Sequence, residues 1–272
     1  MIYVVNYADG FLFEKRRKIN SLTARLFAHA DKILEYDSSD IDEEYKNSHK
    51  KIFSYKRGAG LWLWKPYIIS KALEKLQDGD WLFYADAGSF FINNINSLVN
   101  CAENSNSEIM FFEQPLLNRQ FTKKEAFEKM GIEDHGERQL LGGFLLIKKT
   151  KNNKELIREW MSLCEREDLL SPNRFYLNID EWDDFIEHRE DQSILTLLKI
   201  KYQLKAFRDP SDYGKFPRQY RGDASRKYMP SSYPDSIYPT LLLLPRKANP
   251  FTYFIKFVCK LTLFKVGLYN AI

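Results

Sequence analysis

The 272-residue sequence predicts an α/β fold, a mainly parallel sheet flanked by helices, and two stretches carry that prediction. The first is the opening: an apolar run Ile2–Asn6, an amphipathic segment Glu14–Ala30 and a short second run Lys32–Tyr36. Strand, helix and strand in that order favour a parallel sheet, because the helix carries the chain back to start its next strand in the same direction. The second is residues 79–91, GDWLFYADAGSFF. Bulky apolar residues run without alternation from Trp81 to Tyr84, as in a strand buried on both faces, and a carboxylate, Asp86, follows at once. Open α/β sheets hold ligands at that end of the strand. The small Ala87 and Gly88 would let a bulky anion approach Asp86, whose plainer reading is a turn cap.

Composition sets the outer bounds. Hydrophobic residues make up 44% and aromatics 15%, enough for a packed core and too much for a disordered chain. The three cysteines, Cys101, Cys164 and Cys259, are widely spaced and lack a metal-ligand pattern, which fits a reducing compartment. The N-terminus enters a strand-like run with no long apolar segment before it, so a cytoplasmic protein without a secretory signal is expected. Net charge is +4 but uneven: residues 199–272 carry 14 basic against 4 acidic side chains. Such a tail suits an anionic surface, either phospholipid or nucleic acid, or is simply a solvated basic face.

Along the chain, Tyr7-Ala8-Asp9-Gly10 forms the polar end of the first strand, so Asn6 and Tyr7 are candidates to receive a base and ribose. In Glu14–Ala30 the helical spacing of Ile19, Leu22, Leu26 and Phe27 predicts the buried face, opposite Lys15–Lys18. Residues 37–51 are polar and should cross the surface. Arg57-Gly58-Ala59-Gly60 leads to Trp64-Lys65-Pro66, where Pro66 suits the start of a helix. A glycine loop before a helix, bracketed by Arg57 and Lys65, could hold a diphosphate; a structural turn with two core tryptophans is the alternative. There is no GxGxxG and no Walker loop, so neither a dinucleotide fold nor a P-loop is supported.

Ser107–Phe112 is the next strand, and Thr122–Glu125 reads as a capping box. Gly142 and Gly143 then form a loop running into the apolar strand Phe144–Ile147. Asn153–Arg166 is amphipathic, with Trp160 in the core. In His188-Arg189-Glu190-Asp191-Gln192-Ser193, Asp191 and Gln192 fall in the first turn of a helix, where the helix dipole should keep Asp191 ionised. His188 suits a hydrogen-bonding role better than a zinc site, with no second histidine near it. Seven of the ten prolines lie between residues 206 and 250, so 1–205 reads as the main domain and 206–272 as a basic, Pro/Tyr-rich extension. Residues 249–272 are apolar with interspersed lysines, a pattern for a surface-lying helix and not a spanning one.

Taken together, the Arg57–Pro66 string, Tyr84–Gly88, the Gly142-Gly143 pair and His188–Ser193 resemble the GT-A (Rossmann-like) nucleotide-sugar glycosyltransferases of bacterial polysaccharide and lipopolysaccharide synthesis. The resemblance covers roughly residues 1–200. It implies a mixed, mainly parallel sheet and an enzyme moving a sugar from a nucleoside diphosphate, most often UDP, to a saccharide or lipid-linked acceptor. Separately, the basic excess and the apolar composition of residues 251–269 suit docking on the inner face of the cytoplasmic membrane. By the same resemblance Asp86 stands where a metal-binding aspartate would, and Asp191 with Gln192 where the sugar-transfer residues would. Arg57, Lys65, Gly142, Gly143, His188, Asn6 and Tyr7 would surround the donor. Gly88 replaces the family's second aspartate. A Mn²⁺ or Mg²⁺ ion at Asp86 would then need phosphate and water oxygens to complete its ligands. Asp191 could be either the base for an acceptor hydroxyl or a carboxylate beside the donor sugar in a retaining site. A binding module without catalysis stays open because of Gly88. Nucleic-acid binding has no motif to support it.

Overall fold

The computed structural model describes residues 1–176, 178–222, 224–245 and 248–269. Six strands form the main sheet: β1 (Ile2–Tyr7), β2 (Lys32–Tyr36), β3 (Trp81–Ala85), β5 (Ile109–Leu117), β6 (Arg138–Lys148) and β7 (Ala206–Arg208), in the order β2-β1-β3-β6-β5-β7. A two-residue β4 (Phe90–Phe91) pairs with β8 (Leu242–Leu243) in a second, small sheet. β1 is parallel to β2 and β3, and β5 to β7, while β6 runs antiparallel between β3 and β5. The carboxyl ends of β1, β2, β3, β5 and β7 therefore share one edge. The sheet is mixed and mainly parallel, as expected.

Alternation along the strands sends side chains to two cores. Tyr3, Val5, Tyr7, Leu82, Tyr84 and Phe111 face the helices Trp64–Glu74, Lys151–Cys164 and Glu190–Lys201. Ile2, Val4, Phe83, Met110 and Phe112 pack with Ala24, Leu98 and Ala102 on the other side. With both faces covered, continuous apolar strands are what the sheet requires.

Several expectations are corrected. The first helix spans Phe11–Leu26 and buries Asn20, Ser21, Thr23 and Ala24, while Leu22, Leu26 and Phe27 stand exposed. The polar side wins because it completes buried hydrogen bonds. Asn6 Nδ2 donates to Asn20 Oδ1 at 2.8 Å, Asn20 Nδ2 donates to Ser89 O at 3.1 Å, and Phe91 N donates to Thr23 Oγ1 at 3.0 Å. These bonds tie the end of β1 to the loop after Asp86. The capping box at Thr122–Glu125 does not form, since Thr122 donates to Asn118 and the Glu125 carboxylate accepts from the amides of Phe175 and Tyr176. The polar segment after β2 carries two short helices, Glu43–Ser48 and Lys50–Phe53, the second running past residue 51. Gly142 and Gly143 lie inside β6 and not in a loop before it.

The expected extension opens with β7, which joins the main sheet beside β5. The C-terminal helix Pro250–Lys265 is capped by Asn249 and anchored by Phe257 against Phe216, Phe90 and Leu243. Its Phe251, Ile255, Val258 and Leu263 remain exposed. No described helix is long and apolar enough to cross a membrane.

Candidate functional site

Asp86 leaves β3 at the shared edge and meets β6 directly. Its amide donates to Gly143 O at 2.9 Å, and Tyr84 OH donates to its Oδ1 at 2.7 Å. A Cβ on Gly143 would stand 3.0 Å from Asp86 Oδ2, and one on Gly142 would stand 3.0 Å from Gln192 Cβ. Both glycines sit where another side chain approaches closely, a common reason for glycine inside a strand. Gln192 Oε1 accepts from Gly142 N at 3.0 Å. Its Nε2 is buried and has no partner among the described residues. Asp191, in the first turn of the Glu190–Lys201 helix, pairs with Lys65: Nζ lies 2.9 Å from Oδ2, and both side chains are 4% exposed. Lys65 also donates to Gly142 O at 3.0 Å. Asp86, Lys65, Gly142, Gly143, Asp191 and Gln192 are therefore one assembly.

Burial, not the helix dipole, governs Asp191. Removal from water pushes its pKa up to about 6; Lys65 counteracts this, and Asp86 adds to it. Burial works against Lys65's charge, yet Asp191 and Asp86 outweigh it and raise the lysine above its ordinary value. Glu190 is likewise raised by burial, to about 7, against the pull of Arg57.

The Arg57 string forms a left-handed turn. Gly58, Ala59, Gly60, Leu61 and Trp62 all have positive φ, between 50° and 95°. Each non-glycine residue there costs roughly 1–2 kcal/mol, and such strain concentrates at functional sites. Backbone bonds hold it, from Gly60 N to Tyr55 O and from Leu61 N to Arg57 O, both 2.9 Å, while Trp64 Nε1 donates to Gly58 O at 2.8 Å. A Cβ at Gly58 would fall 2.3 Å from the Trp62 ring. The turn aims Arg57 at Glu190, Nε to Oε1 2.6 Å, and stacks Trp64 on Tyr7 with ring centroids 3.9 Å apart. Both cations expected to meet a diphosphate, Arg57 and Lys65, are thus engaged with carboxylates.

Two expected residues point elsewhere. The Asn6 side chain lies under the first helix, bonded to Asn20 and Ser21. His188 is buried, accepting from Lys123 N at Nδ1 and bonding Leu169 O through Nε2. Burial pushes its pKa down to about 3, so it is a neutral core residue and not part of the assembly. Sequence reasoning missed Glu190 and Tyr84 as partners; the adjacent acids in His188–Ser193 were the available signal for the first.

A divalent cation finds few ligands. Asp86 offers one carboxylate, a Cβ at Gly88 would meet nothing within 4 Å, and no three His, Cys, Asp or Glu side chains cluster for a metal among the described residues. These residues do not build a cation site by themselves.

The chain aligns with the crystal structure of the galactosyltransferase LgtC in complex with donor and acceptor sugar analogs. Identity is 17%, 94% of each chain is covered and the TM-score is 0.51. At that identity the likeness shows the fold, which is the GT-A arrangement. Mouse xyloside xylosyltransferase 1 in its apo form aligns over 90% of this chain and 97% of its own at 10% identity, with a TM-score of 0.49, too low to carry an argument. No family model and no curated protein matches the sequence.

Proposed function

We propose that this chain is a glycosyltransferase that moves a sugar from a nucleoside diphosphate sugar, in the first instance a UDP-sugar, to a saccharide or lipid-linked acceptor in surface polysaccharide synthesis. One observation carries the reading: Asp86, the paired glycines of β6 and Asp191-Gln192 converge at the carboxyl edge, where α/β sheets receive their ligands. The glycines let the Asp86 and Gln192 side chains lie close against the β6 backbone. Gln192 Nε2, a buried donor without a partner among the described residues, suits a substrate oxygen. Lys65 holds Asp191 against Gly142, and the Asp191 carboxylate supplies negative charge where positive charge develops at the anomeric carbon. No step is assigned to a metal, because the residues present do not build its site.

The exposed apolar side chains Phe11, Leu12 and Phe13 of the first helix and Phe251, Ile255 and Val258 of the C-terminal helix lie among lysines and arginines. They support peripheral docking on an anionic membrane, and the three free cysteines are consistent with its cytoplasmic face. A second reading, a binding module without catalysis, draws on Gly88. A thermal-shift screen of sugar nucleotides, with and without Mn²⁺, followed by assay of UDP release tests both. Stabilisation with release supports transfer, stabilisation without release supports the binding module, and stabilisation by no sugar nucleotide defeats both.

A further inference from the structure

The carboxyl edge carries an opening away from Asp86. A shallow cleft, open to solvent, lies beside β5 and β7 and is lined by Tyr213, Tyr220, Tyr228, Tyr233, Glu113 and Arg208. We propose that it is a saccharide-binding subsite that grips the acceptor chain at a distance from its reacting end. This rests on the glycosyltransferase reading above.

Three observations support it. Four tyrosines line it; aromatic faces pack against the apolar faces of sugar rings, and a tyrosine hydroxyl can bond a sugar hydroxyl. Second, the Tyr228 hydroxyl is buried and has no hydrogen-bond partner among the described residues, a cost that a ligand hydroxyl would relieve. Third, the lining sets two carboxylates, Glu113 and Asp209, against one guanidinium, Arg208. Arg208 is engaged with the carbonyl of Tyr238, and Glu113 is held by Lys199 at 3.1 Å and by Tyr233 OH at 3.0 Å. A neutral, hydroxyl-rich ligand fits such a lining better than a phosphate does.

Topology supplies the distance. β5 is two strands from β3 and β7 is three, so at roughly 4.8 Å per strand the cleft lies on the order of 10–14 Å from the end of β3. An acceptor lying along the edge would span that gap with a few sugar units. A single sugar would reach only one of the two places.

The test uses malto-, cello- and chito-oligosaccharides of increasing length as probes, with binding read by saturation-transfer NMR on the full chain. Ser231 lines the cleft and is exposed, so Ser231→Trp fills the opening without disturbing the core. Tyr228→Phe removes only the unpartnered hydroxyl. At least one series should bind more tightly with length. Ser231→Trp should abolish that gain, and Tyr228→Phe should weaken binding roughly three- to tenfold, the worth of one hydrogen bond. Equal binding in wild type and Ser231→Trp, or no binding of any series, would overturn the subsite. UDP titration runs in parallel on all three proteins. Loss of UDP binding from the wild type would strike the donor site, while saccharide binding is still read separately.

Discussion

Replacing Lys65 with methionine tests the buried pair at the centre of the site. Methionine is similar in length, so the change removes the charge and the bond to Gly142 O without opening a large cavity. Asp191 is left 3% exposed, with Asp86 contributing a second negative charge. Removing one partner of a buried pair costs about 3–5 kcal/mol. That cost depends on pH. Asp191 already titrates at about 6 instead of 3.8, so the folded protein binds this proton more tightly than the unfolded chain does. Its contribution to stability therefore falls as pH rises from about 4 to 6.

Without Lys65 the pKa climbs further, and each added unit costs about 1.4 kcal/mol above it. At pH 5 the variant's Asp191 is protonated and neutral, so the loss shrinks to that of missing hydrogen bonds, about 1–3 kcal/mol. At pH 8 the full penalty appears. Lys65's own raised pKa adds stability that is complete below the lysine's ordinary value of 10.5, hence at both pH values, and is lost as pH rises from there through the raised value. Urea unfolding of wild type and Lys65→Met at pH 5 and pH 8 measures the difference, and the titration of Glu190, common to both proteins, cancels. Equal losses at the two pH values, or a larger loss at pH 5, would refute the reasoning.

Three further outcomes are expected. Gly143→Ala puts a methyl 3.0 Å from Asp86 Oδ2, so donor hydrolysis should fall at least tenfold while unfolding free energy drops by about 1–3 kcal/mol, as for other overpacked sites. Gly88→Asp meets open space at an ordinary φ, so stability should stay within about 0.5 kcal/mol, and calorimetry should detect a Mn²⁺ affinity stronger than the wild type's. Ile255→Glu with Val258→Glu alters exposed residues of the C-terminal helix and spares Phe257. Co-sedimentation with acidic liposomes should drop while the melting temperature holds; unchanged co-sedimentation would remove this helix from the membrane reading.

The parts of the fold that rest on local pattern were legible. β1 and β3 are runs of apolar residues long enough to name, and each ends where a polar residue marks the edge, while β2, KILEY at the sheet edge, was legible from its place after the first helix. The first helix was legible as a helix but not in its orientation. Its inward face is polar because Asn20 answers Asn6 and Ser89, partners that no periodicity reveals. Gly58 and Gly60 signalled an unusual turn, yet nothing in Ala59, Leu61 or Trp62 announced that the left-handed backbone continues through them. The pairings of Lys65 with Asp191 and of Arg57 with Glu190 join distant segments through burial. Sequence could mark those residues as charged and interesting, but not that each cation already has its carboxylate.

Release of UDP from a panel of UDP-sugars, compared between wild type and Asp191→Asn, tests the central claim most directly. Asparagine keeps the size and the capping capacity but loses the charge. The wild type should release UDP from at least one donor, and Asp191→Asn should retain UDP binding with turnover lowered roughly 10²–10⁴-fold. No release from any donor, or near-wild-type turnover in the variant, would contradict it.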